Sequence, residues 1–330
     1  MATDPFAPYL SQHTTPISPG DSRPTAKQNL ADEDLLDNSA WSGHTVLVTG
    51  ATSGIGVKTV RALHATGANL YFTREAKRRR RSQNTSEGKL DVIMMDLESL
   101  QSVKKAAAEF LGGSAGRLNV LVNNAGIMGC PQDRTTDGFE LQLGVIHLAH
   151  FALMAMLLPA LIANSTAIFN SRILKVSSSS HRYSSIHFDD VNLTGNYDPF
   201  VKTANIWTAN YIDRVYGPRG VHALSLHPSG IWSGLQRYAP ANHSAVGKAD
   251  PEIGLNTRSA EQDATTTVWA AVVKVWEGRG GKYLADCQIA ASVMDLTSAM
   301  DSGVGPDAYN VEGEEKLWEL SARFTGLSTP

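Results

Sequence analysis

The glycine-rich segment Thr49–Gly56, which reads TGATSGIG, is the feature that most constrains the fold of this chain. It directly follows the apolar run Thr45–Val48 and leads into a helical pattern over Ile55–Thr66. A buried strand that passes through a glycine turn into a helix presents free N–H groups and the positive end of the helix dipole to one point. The segment therefore predicts a phosphate-binding turn, and a purely structural glycine turn is the alternative.

Each glycine has a separate expected role in this turn. Gly50 permits the tight bend, Gly54 lets the backbone approach a pyrophosphate, and Gly56 lets the helix pack close to the strand. Ser53 and Ile55 lie in the same turn and are expected to contact the nucleotide. A second strand about 20 residues later strengthens the nucleotide-binding interpretation over the structural one.

Strand and helix patterns alternate along the rest of the chain, which predicts a single α/β domain with a doubly wound parallel sheet of about seven strands and helices on both faces. In such a sheet the ligand binds at the C-terminal ends of the strands. The predicted strands are Thr45–Thr49, Asn69–Thr73, Lys89–Met95, Asn119–Asn123, Arg172–Ser177, Val221–His227 and Gly281–Ala285. The predicted helices are Ile55–Thr66, Leu100–Leu111, Gly138–Ala163, Lys202–Tyr216 and Asp263–Glu277.

Composition excludes several classes of protein. The chain has 330 residues, 42% of them hydrophobic, and a net charge of −3, so charge implies neither a nucleic-acid nor a membrane-surface partner. Cys130 and Cys287 cannot build a disulfide framework, and they lack neighbours at metal-ligand spacing, so we expect no metal site and a reducing compartment, the cytoplasm. The apolar stretch Phe151–Ala163 is too short to span a bilayer and indicates a core helix.

The first 40 residues are rich in Pro, Ser, Thr and Asp and lack both a signal-peptide pattern and an apolar core segment. We expect residues 1–40 to form a mobile or surface-lying tail and residues 41–330 to form the domain.

Arg74 follows the second predicted strand, where a sheet of this kind meets the adenosine ribose. An acidic residue there would bind a ribose 2′-hydroxyl, whereas a basic residue suits a 2′-phosphate, so the sequence favours NADP(H) over NAD(H). The basic run Lys77–Arg81 is interpreted as a solvated surface, although one member could also help to hold a phosphate.

Several motifs, taken in order, resemble the short-chain dehydrogenase/reductase family, which has a Rossmann-type sheet. They are TGATSGIG, the Asp96 that ends Met94-Met95-Asp96, the NNAG at Asn123–Gly126, the serines after Ile173–Val176, and KTAN at Lys202–Asn205. The C-terminal Lys316–Ser321 resembles the retinol-dehydrogenase and WW-domain-oxidoreductase-like branch, as in many fungal members.

This resemblance implies roles for individual residues. Asp96 would contact adenine, Asn124 would belong to the cofactor site, and Ile231 would cap the nicotinamide carboxamide. Ser178 would steady the substrate oxygen, and Lys202 would hold the nicotinamide ribose and lower the pKa of a catalytic tyrosine. For Ser178 and Lys202, an ordinary turn serine and an ordinary helix lysine are the alternatives.

The chain departs from the family pattern at the catalytic tyrosine. Asp198, not tyrosine, stands four residues before Lys202, and Tyr197 is one residue further away, which would turn it about 140° off the lysine side of a continuous helix. Asp198 and Pro199 also resemble a helix start, which would leave Tyr197 outside the helix. A short deletion of the tyrosine segment explains this pattern, and a flexible approach of Tyr197 as the acid is the alternative.

Two further departures affect the reaction site. Ile146 stands where the family has an asparagine that anchors a relay water. It cannot hydrogen-bond water, so we expect it to pack in the core, and substitution of the asparagine by His147 or His150 is the alternative. Ser229 replaces a preferred glycine near the nicotinamide. Residues 231–262 are expected to form a substrate lid whose apolar wall includes Trp232, Leu235 and Tyr238.

The sequence therefore predicts an NADP(H)-dependent oxidoreductase that interconverts a carbonyl and an alcohol on an apolar small molecule, with Ser178, Tyr197 and Lys202 as the catalytic set. The resemblance implies a substrate of fungal secondary metabolism or a lipid-like one, and allows a homo-oligomer. The alternatives are a member of the same fold that binds NADP without redox chemistry, and a defective gene product.

Overall fold

The computed structural model describes residues 4–37, 39–75, 83–85, 88–183, 185–195, 202–239, 247, 249–294 and 302–329. Their strands form one sheet in the order β3-β4-β2-β1-β5-β6-β7-β8-β9. The strands are β1 Thr45–Val48, β2 Asn69–Arg74, β3 Gln83–Thr85, β4 Gly88–Met94, β5 Val120–Asn123, β6 Ser171–Val176, β7 Val221–His227, β8 Lys282–Ala285 and β9 Gln288–Ile289.

The seven predicted strands are confirmed as the seven central, mutually parallel strands of this sheet. The short β3 and β9 are added at the two edges, and both pair antiparallel. The predicted doubly wound α/β fold is therefore confirmed. Strands β1, β5 and β6 are buried on both faces because helices cover the two sides of the sheet.

All five predicted helices are present, three of them within two residues of the predicted bounds. The predicted Gly138–Ala163 instead begins at Ala149 after a π-helical turn, the predicted Asp263–Glu277 spans only Thr265–Val272, and the remaining helices were not predicted. The helices are α1 Leu10–His13, α2 Ala26–Asp32, α3 Gly54–His64, α4 Leu100–Gly113, α5 Ala149–Asn164, α6 Lys202–Tyr216, α7 Pro251–Asn256, α8 Ala260–Asp263, α9 Thr265–Val272 and α10 Val311–Thr325. One apolar core, to which α3 and α9 contribute, lies on one face of the sheet. A second core, to which α4, α5 and α6 contribute, lies on the other face.

The N-terminal segment, residues 4–37, packs onto the domain, which differs from a mobile tail, one of the two expectations for it. Leu30 on α2 is fully buried, and Tyr9 is 6% exposed, both in the core that contains α9. The Arg23 guanidinium donates hydrogen bonds to the carbonyl oxygens of Asn256 (3.1 Å) and Thr257 (3.0 Å) at the end of α7. Composition alone missed this packing because a few well-placed apolar side chains and one buried arginine anchor an otherwise polar segment.

One helical stretch among the described residues, Leu143–Asn164, is long and apolar enough to cross a membrane, but 83% of its most apolar window is buried inside the domain. This stretch of 22 residues is longer than the apolar run Phe151–Ala163 that was identified from the sequence. Burial therefore identifies it as a core helix more firmly than its length does.

Candidate functional site

The glycine turn between β1 and α3 lies at the C-terminal edge of the sheet, next to the segment that follows β5. Gly50 has φ +68°, and a Cβ there would lie 2.6 Å from the Cα of Ala125. A Cβ on Gly56 would lie 2.8 Å from Asn124 Nδ2 and 2.9 Å from the Cα of Ala51. Side chains are thus excluded at both positions, and the backbone N–H groups at the start of α3 stay accessible to a phosphate.

Asn124 fixes the shape of this turn. Its Nδ2 donates to the carbonyl oxygens of Thr49 (2.9 Å) and Gly50 (3.2 Å), and the backbone N–H groups of Asn124 (2.9 Å) and Ala125 (3.0 Å) donate to Thr49 Oγ1. Both Nδ2 protons are therefore engaged within the protein. The structure gives Asn124 a positioning role, while direct contact with a cofactor remains a prediction.

Arg74 ends β2 beside the turn and is only 7% exposed. Its Nε is buried and has no hydrogen-bond partner among the described residues. A buried guanidinium N–H without an acceptor is costly, so this group fits an anionic ligand such as a ribose phosphate. The basic run 77–81 lies outside the described residues.

Asp96 lies just after β4, at the same edge of the sheet, and is exposed. Its Oδ1 accepts a hydrogen bond from the backbone N–H of Glu98 (2.9 Å), and its own N–H donates to Ser102 Oγ (2.9 Å). The carboxylate is therefore held in place at the surface, and its predicted contact with adenine stays a prediction.

Ser178 follows β6 at the same edge of the sheet and caps a short 3₁₀ turn, with its Oγ accepting from the N–H of Ser180 (3.2 Å). His181 supports this turn because its Nδ1 donates to the Ser178 carbonyl oxygen (2.7 Å) and its Nε2 accepts from the Gly305 N–H (2.9 Å). Burial lowers the pKa of His181 to about 4, so the ring is neutral at pH 7.

Lys202 begins α6, and its Nζ donates a hydrogen bond to the Val176 carbonyl oxygen (3.4 Å) at the end of β6. Ser177 Oγ donates to the Lys202 carbonyl oxygen (2.8 Å), which ties the start of α6 to the same strand end. Desolvation lowers the pKa of Lys202 to about 8. The structure thus brings Lys202 and the Ser178 turn together at the end of β6.

Ile146 is 1% exposed and lies beside Lys202. A Cβ built on Gly126 would lie 3.6 Å from Lys202 Nζ and 4.0 Å from Ile146 Cγ1, so both groups border the space at that glycine. Ile146 lies in a π-helical turn, Leu143–Leu148, that precedes α5. π-helical turns are rare and are often found at functional sites. Here the position that faces the lysine cannot hydrogen-bond a water.

The two neighbouring histidines serve the fold. His150 Nδ1 donates to the Ile146 carbonyl oxygen (2.9 Å), so its Nε2 accepts from the hydroxyl of Thr49 (2.9 Å). His147 Nε2 donates to Ser321 Oγ (2.6 Å), whose hydroxyl donates onward to the Leu317 carbonyl oxygen (2.6 Å). Neither ring occupies the position of the missing asparagine side chain.

The loop after β7 lies under the predicted lid. Ser229 has φ +78°, a conformation that favours glycine, and its hydroxyl donates to Asp286 Oδ1 (3.1 Å). Asp286 also accepts from Arg258 Nη2 (2.5 Å), and the Arg258 N–H donates to the Gly230 carbonyl oxygen (2.9 Å). This network offsets the strain of a serine where the family prefers glycine.

Two of the three residues predicted to form the apolar wall of the lid are exposed to solvent. The Ile231 carbonyl oxygen accepts from Gln236 Nε2 (2.7 Å), which fixes the start of a 3₁₀ helix over Gly234–Tyr238. Leu235 and Tyr238 are 37% and 46% exposed. Residues 240–246 and 248 of the lid, and Tyr197 and Asp198 before α6, lie outside the described residues.

Sequence reasoning missed one group near this site. Lys175 lies one residue before the end of β6 and is fully buried, and its Nζ has no hydrogen-bond partner among the described residues. The signal was visible in the sequence, because a lysine interrupts the apolar strand Ile173–Val176. Within the described part of the chain, no group of three His, Cys, Asp or Glu side chains is arranged to hold a metal ion.

Comparison with known proteins supports the family resemblance. The model of the short chain dehydrogenase family matches residues 44–189. The short-chain dehydrogenase/reductase prx1 of Penicillium roqueforti is 42% identical over 94% of this chain and 92% of its own length. Retinol dehydrogenase 12 of Homo sapiens is 30% identical over 92% of this chain and 93% of its own. A crystal structure of an uncharacterized protein from Mycobacterium paratuberculosis superposes with a TM-score of 0.63 and 26% identity, over 94% and 100% of the two chains.

Proposed function

Because the chain belongs to the short-chain dehydrogenase/reductase family, we propose that it is an NADP(H)-dependent oxidoreductase that interconverts a carbonyl and an alcohol on an apolar small molecule. The observation that carries this proposal is the placement of the Lys202 amine at the end of β6, on the same sheet edge as the Gly50–Gly56 turn. An anion-binding turn and a buried amine at one sheet edge fit a dinucleotide that is held at both ends.

The residues present fit the phosphorylated cofactor. The N-terminus of α3 would bind the pyrophosphate, and Arg74 would bind the 2′-phosphate through its Nε, which has no partner among the described residues. Asp96 and Ile231 would contact adenine and the carboxamide. When bound, the cofactor would supply the electrons and the hydrogen exchanged with the substrate carbon. Ser178 would orient the substrate oxygen, and Lys202 would stabilise negative charge that develops there.

Tyr197 is the proposed acid, and this part of the proposal has its own test. If Tyr197 donates the proton, Tyr197→Phe should abolish carbonyl reduction without changing NADPH affinity. An unchanged rate in that variant would exclude Tyr197 and point to Lys202 or water as the donor.

The competing proposal is a protein that binds NADP(H) without redox chemistry. The burial of Ile146 against Lys202 favours it, because this position cannot hold a relay water. Calorimetric titration with NADPH and with NADH, followed by turnover assays over a panel of apolar ketones and aldehydes, separates the two. Binding with turnover supports the enzyme, binding without turnover supports the alternative, and failure to bind either nucleotide rejects both.

A substrate of fungal secondary metabolism, a cytoplasmic location and a homo-oligomeric state complete the proposal. The likeness to a fungal dehydrogenase/reductase over nearly the whole chain supports the first of these. The buried character of the apolar stretch Leu143–Asn164 is consistent with the second. Size-exclusion chromatography with light scattering would test the third.

A further inference from the structure

A row of buried polar side chains crosses the sheet behind Lys202. The strand register aligns Lys175 on β6 with Asn123 on β5 and with Ser225 on β7. Cross-strand neighbours of parallel strands point to the same face, so these three side chains lie side by side beneath α5 and α6. All three are at most 1% exposed.

The polar atoms of this row lack protein partners. Lys175 Nζ, both amide atoms of Asn123 and the Ser225 hydroxyl are buried with no hydrogen bond among the described residues, and the same holds for Asn205 Oδ1 and His147 Nδ1. Buried polar groups are normally satisfied, and where protein groups do not suffice, internal water does so. Six unpaired atoms on adjoining elements therefore indicate bound water between the sheet and the two helices.

The row connects directly to the reaction site. Lys202 Nζ and Asn205 Nδ2 both donate to the Val176 carbonyl oxygen, at 3.4 and 3.0 Å, and Val176 is the residue after Lys175. Asn205 lies three residues after Lys202 on the same face of α6, and its Oδ1 is buried without a partner among the described residues.

We propose that Lys175 is a proton-holding partner of Lys202, joined to it by water bound along the row Asn123–Lys175–Ser225 with Asn205. This role rests on the proposed function. When the site has given a proton to a substrate oxygen, the Lys175 ammonium passes one proton through water to the Lys202 side. Lys175 becomes a neutral amine and regains its proton from solvent before the next turnover. One proton is consumed for each alcohol formed.

The charges around Lys175 fit a group that exchanges its proton. Burial and the charge of Lys202 lower the pKa of Lys175 to about 7, while the pKa of Lys202 is about 8. The titratable groups that face the amine from the packed elements are Lys202 on α6 and His147 and His150 from the α5 side. Both histidines are held neutral by burial, so the two lysines carry the titration.

The first test needs no cofactor. Unfolding exposes both lysines, so near pH 9 the unfolded chain binds protons that the folded chain does not. The urea midpoint of wild type and of Lys175→Met is measured at pH values from 7.5 to 10. Its dependence on pH should show that wild type takes up about one more proton on unfolding than Lys175→Met does. The control Lys104→Met, at an exposed position of α4, should behave as wild type. Equal proton uptake in wild type and Lys175→Met would overturn the proposal.

A second test separates proton storage from a structural role. Lys175→Gln can still hydrogen-bond the water but cannot release a proton. We expect Lys175→Gln to fold and to bind NADPH as wild type does, and to reduce the panel ketone at least tenfold more slowly at pH 7 with an altered pH profile. Restoration of the wild-type profile by glutamine would refute the proton-holding role. If wild type itself binds NADPH without turnover, the proposed function fails, while the proton count on unfolding still decides whether Lys175 stores a proton.

Discussion

Replacement of Gly56 by alanine should damage the nucleotide site, because it adds a methyl group where the turn between β1 and α3 packs most closely on its neighbours. The new Cβ would collide with the Gly50 carbonyl oxygen and lie 2.8 Å from Asn124 Nδ2 and 2.9 Å from the Cα of Ala51. Carbon contacts normally begin near 3.5 Å, so the start of α3 has to move by roughly 0.6 Å or more. Two of these neighbours are backbone atoms, and the third, Asn124 Nδ2, is held by its hydrogen bonds to the Thr49 and Gly50 carbonyl oxygens.

Two effects of this displacement can be estimated. Overpacking costs about 1–3 kcal/mol of folding stability. Misalignment of one or two N–H donors with a charged phosphate costs about 1.5–3 kcal/mol of binding energy, which weakens NADPH binding roughly 10- to 100-fold. The matched control is Gly112→Ala in α4, where an added Cβ meets nothing within 4 Å and should raise stability by about 0.5–1 kcal/mol.

Calorimetric titration with NADPH and urea denaturation of both variants provide the measurement. A Gly56→Ala protein that binds NADPH within twofold of wild type and keeps its urea midpoint would refute the close-approach argument. A loss of affinity in Gly112→Ala would show that the effect is not specific to the turn.

Three further outcomes follow from the contacts described. Arg74→Ala should weaken NADPH binding roughly 10- to 100-fold and leave NADH binding within threefold, and equal losses for both nucleotides would contradict a 2′-phosphate contact. Arg23→Ala should lower the free energy of unfolding by about 3 kcal/mol, because it leaves Asp21 and the α7 carbonyls without their donor, and an unchanged urea midpoint would disprove that anchor. Burial lowers the pKa of His181 to about 4 against 6.5 in the unfolded chain, so stability is lost as pH falls below 6.5. At pH 5 this group should cost about 2 kcal/mol relative to pH 7.5, and His181→Asn should flatten that part of the urea-midpoint profile.

The sequence predicted what short-range patterns encode. The turn after β1, the seven parallel strands and the helical stretch Lys202–Tyr216 all depend on local glycine placement and on apolar periodicity, which act over a few residues. Ile146 was likewise identified as a packing residue, because an aliphatic side chain offers no hydrogen bond.

Such short-range patterns could not predict contacts between distant parts of the chain. The packing of Leu30 into the core and the anchoring of Arg23 at α7 depend on partners more than 200 residues away. The unpaired row around Lys175 required the strand register, which aligns it with Asn123 and Ser225. The network from Ser229 to Asp286 likewise joins a loop to a turn that only the sheet order brings together.

The attachment of the N-terminal segment has a consequence for synthesis of the protein. Gly20 donates to Gln262 Oε1 (2.9 Å), and Thr265 Oγ1 donates to the Pro24 carbonyl oxygen (2.9 Å), across sequence separations of 242 and 241 residues. At roughly 5–20 residues per second, the ribosome takes about 12–50 s to deliver these partners after the segment emerges. The first part of the chain to be made is therefore among the last to reach its native place.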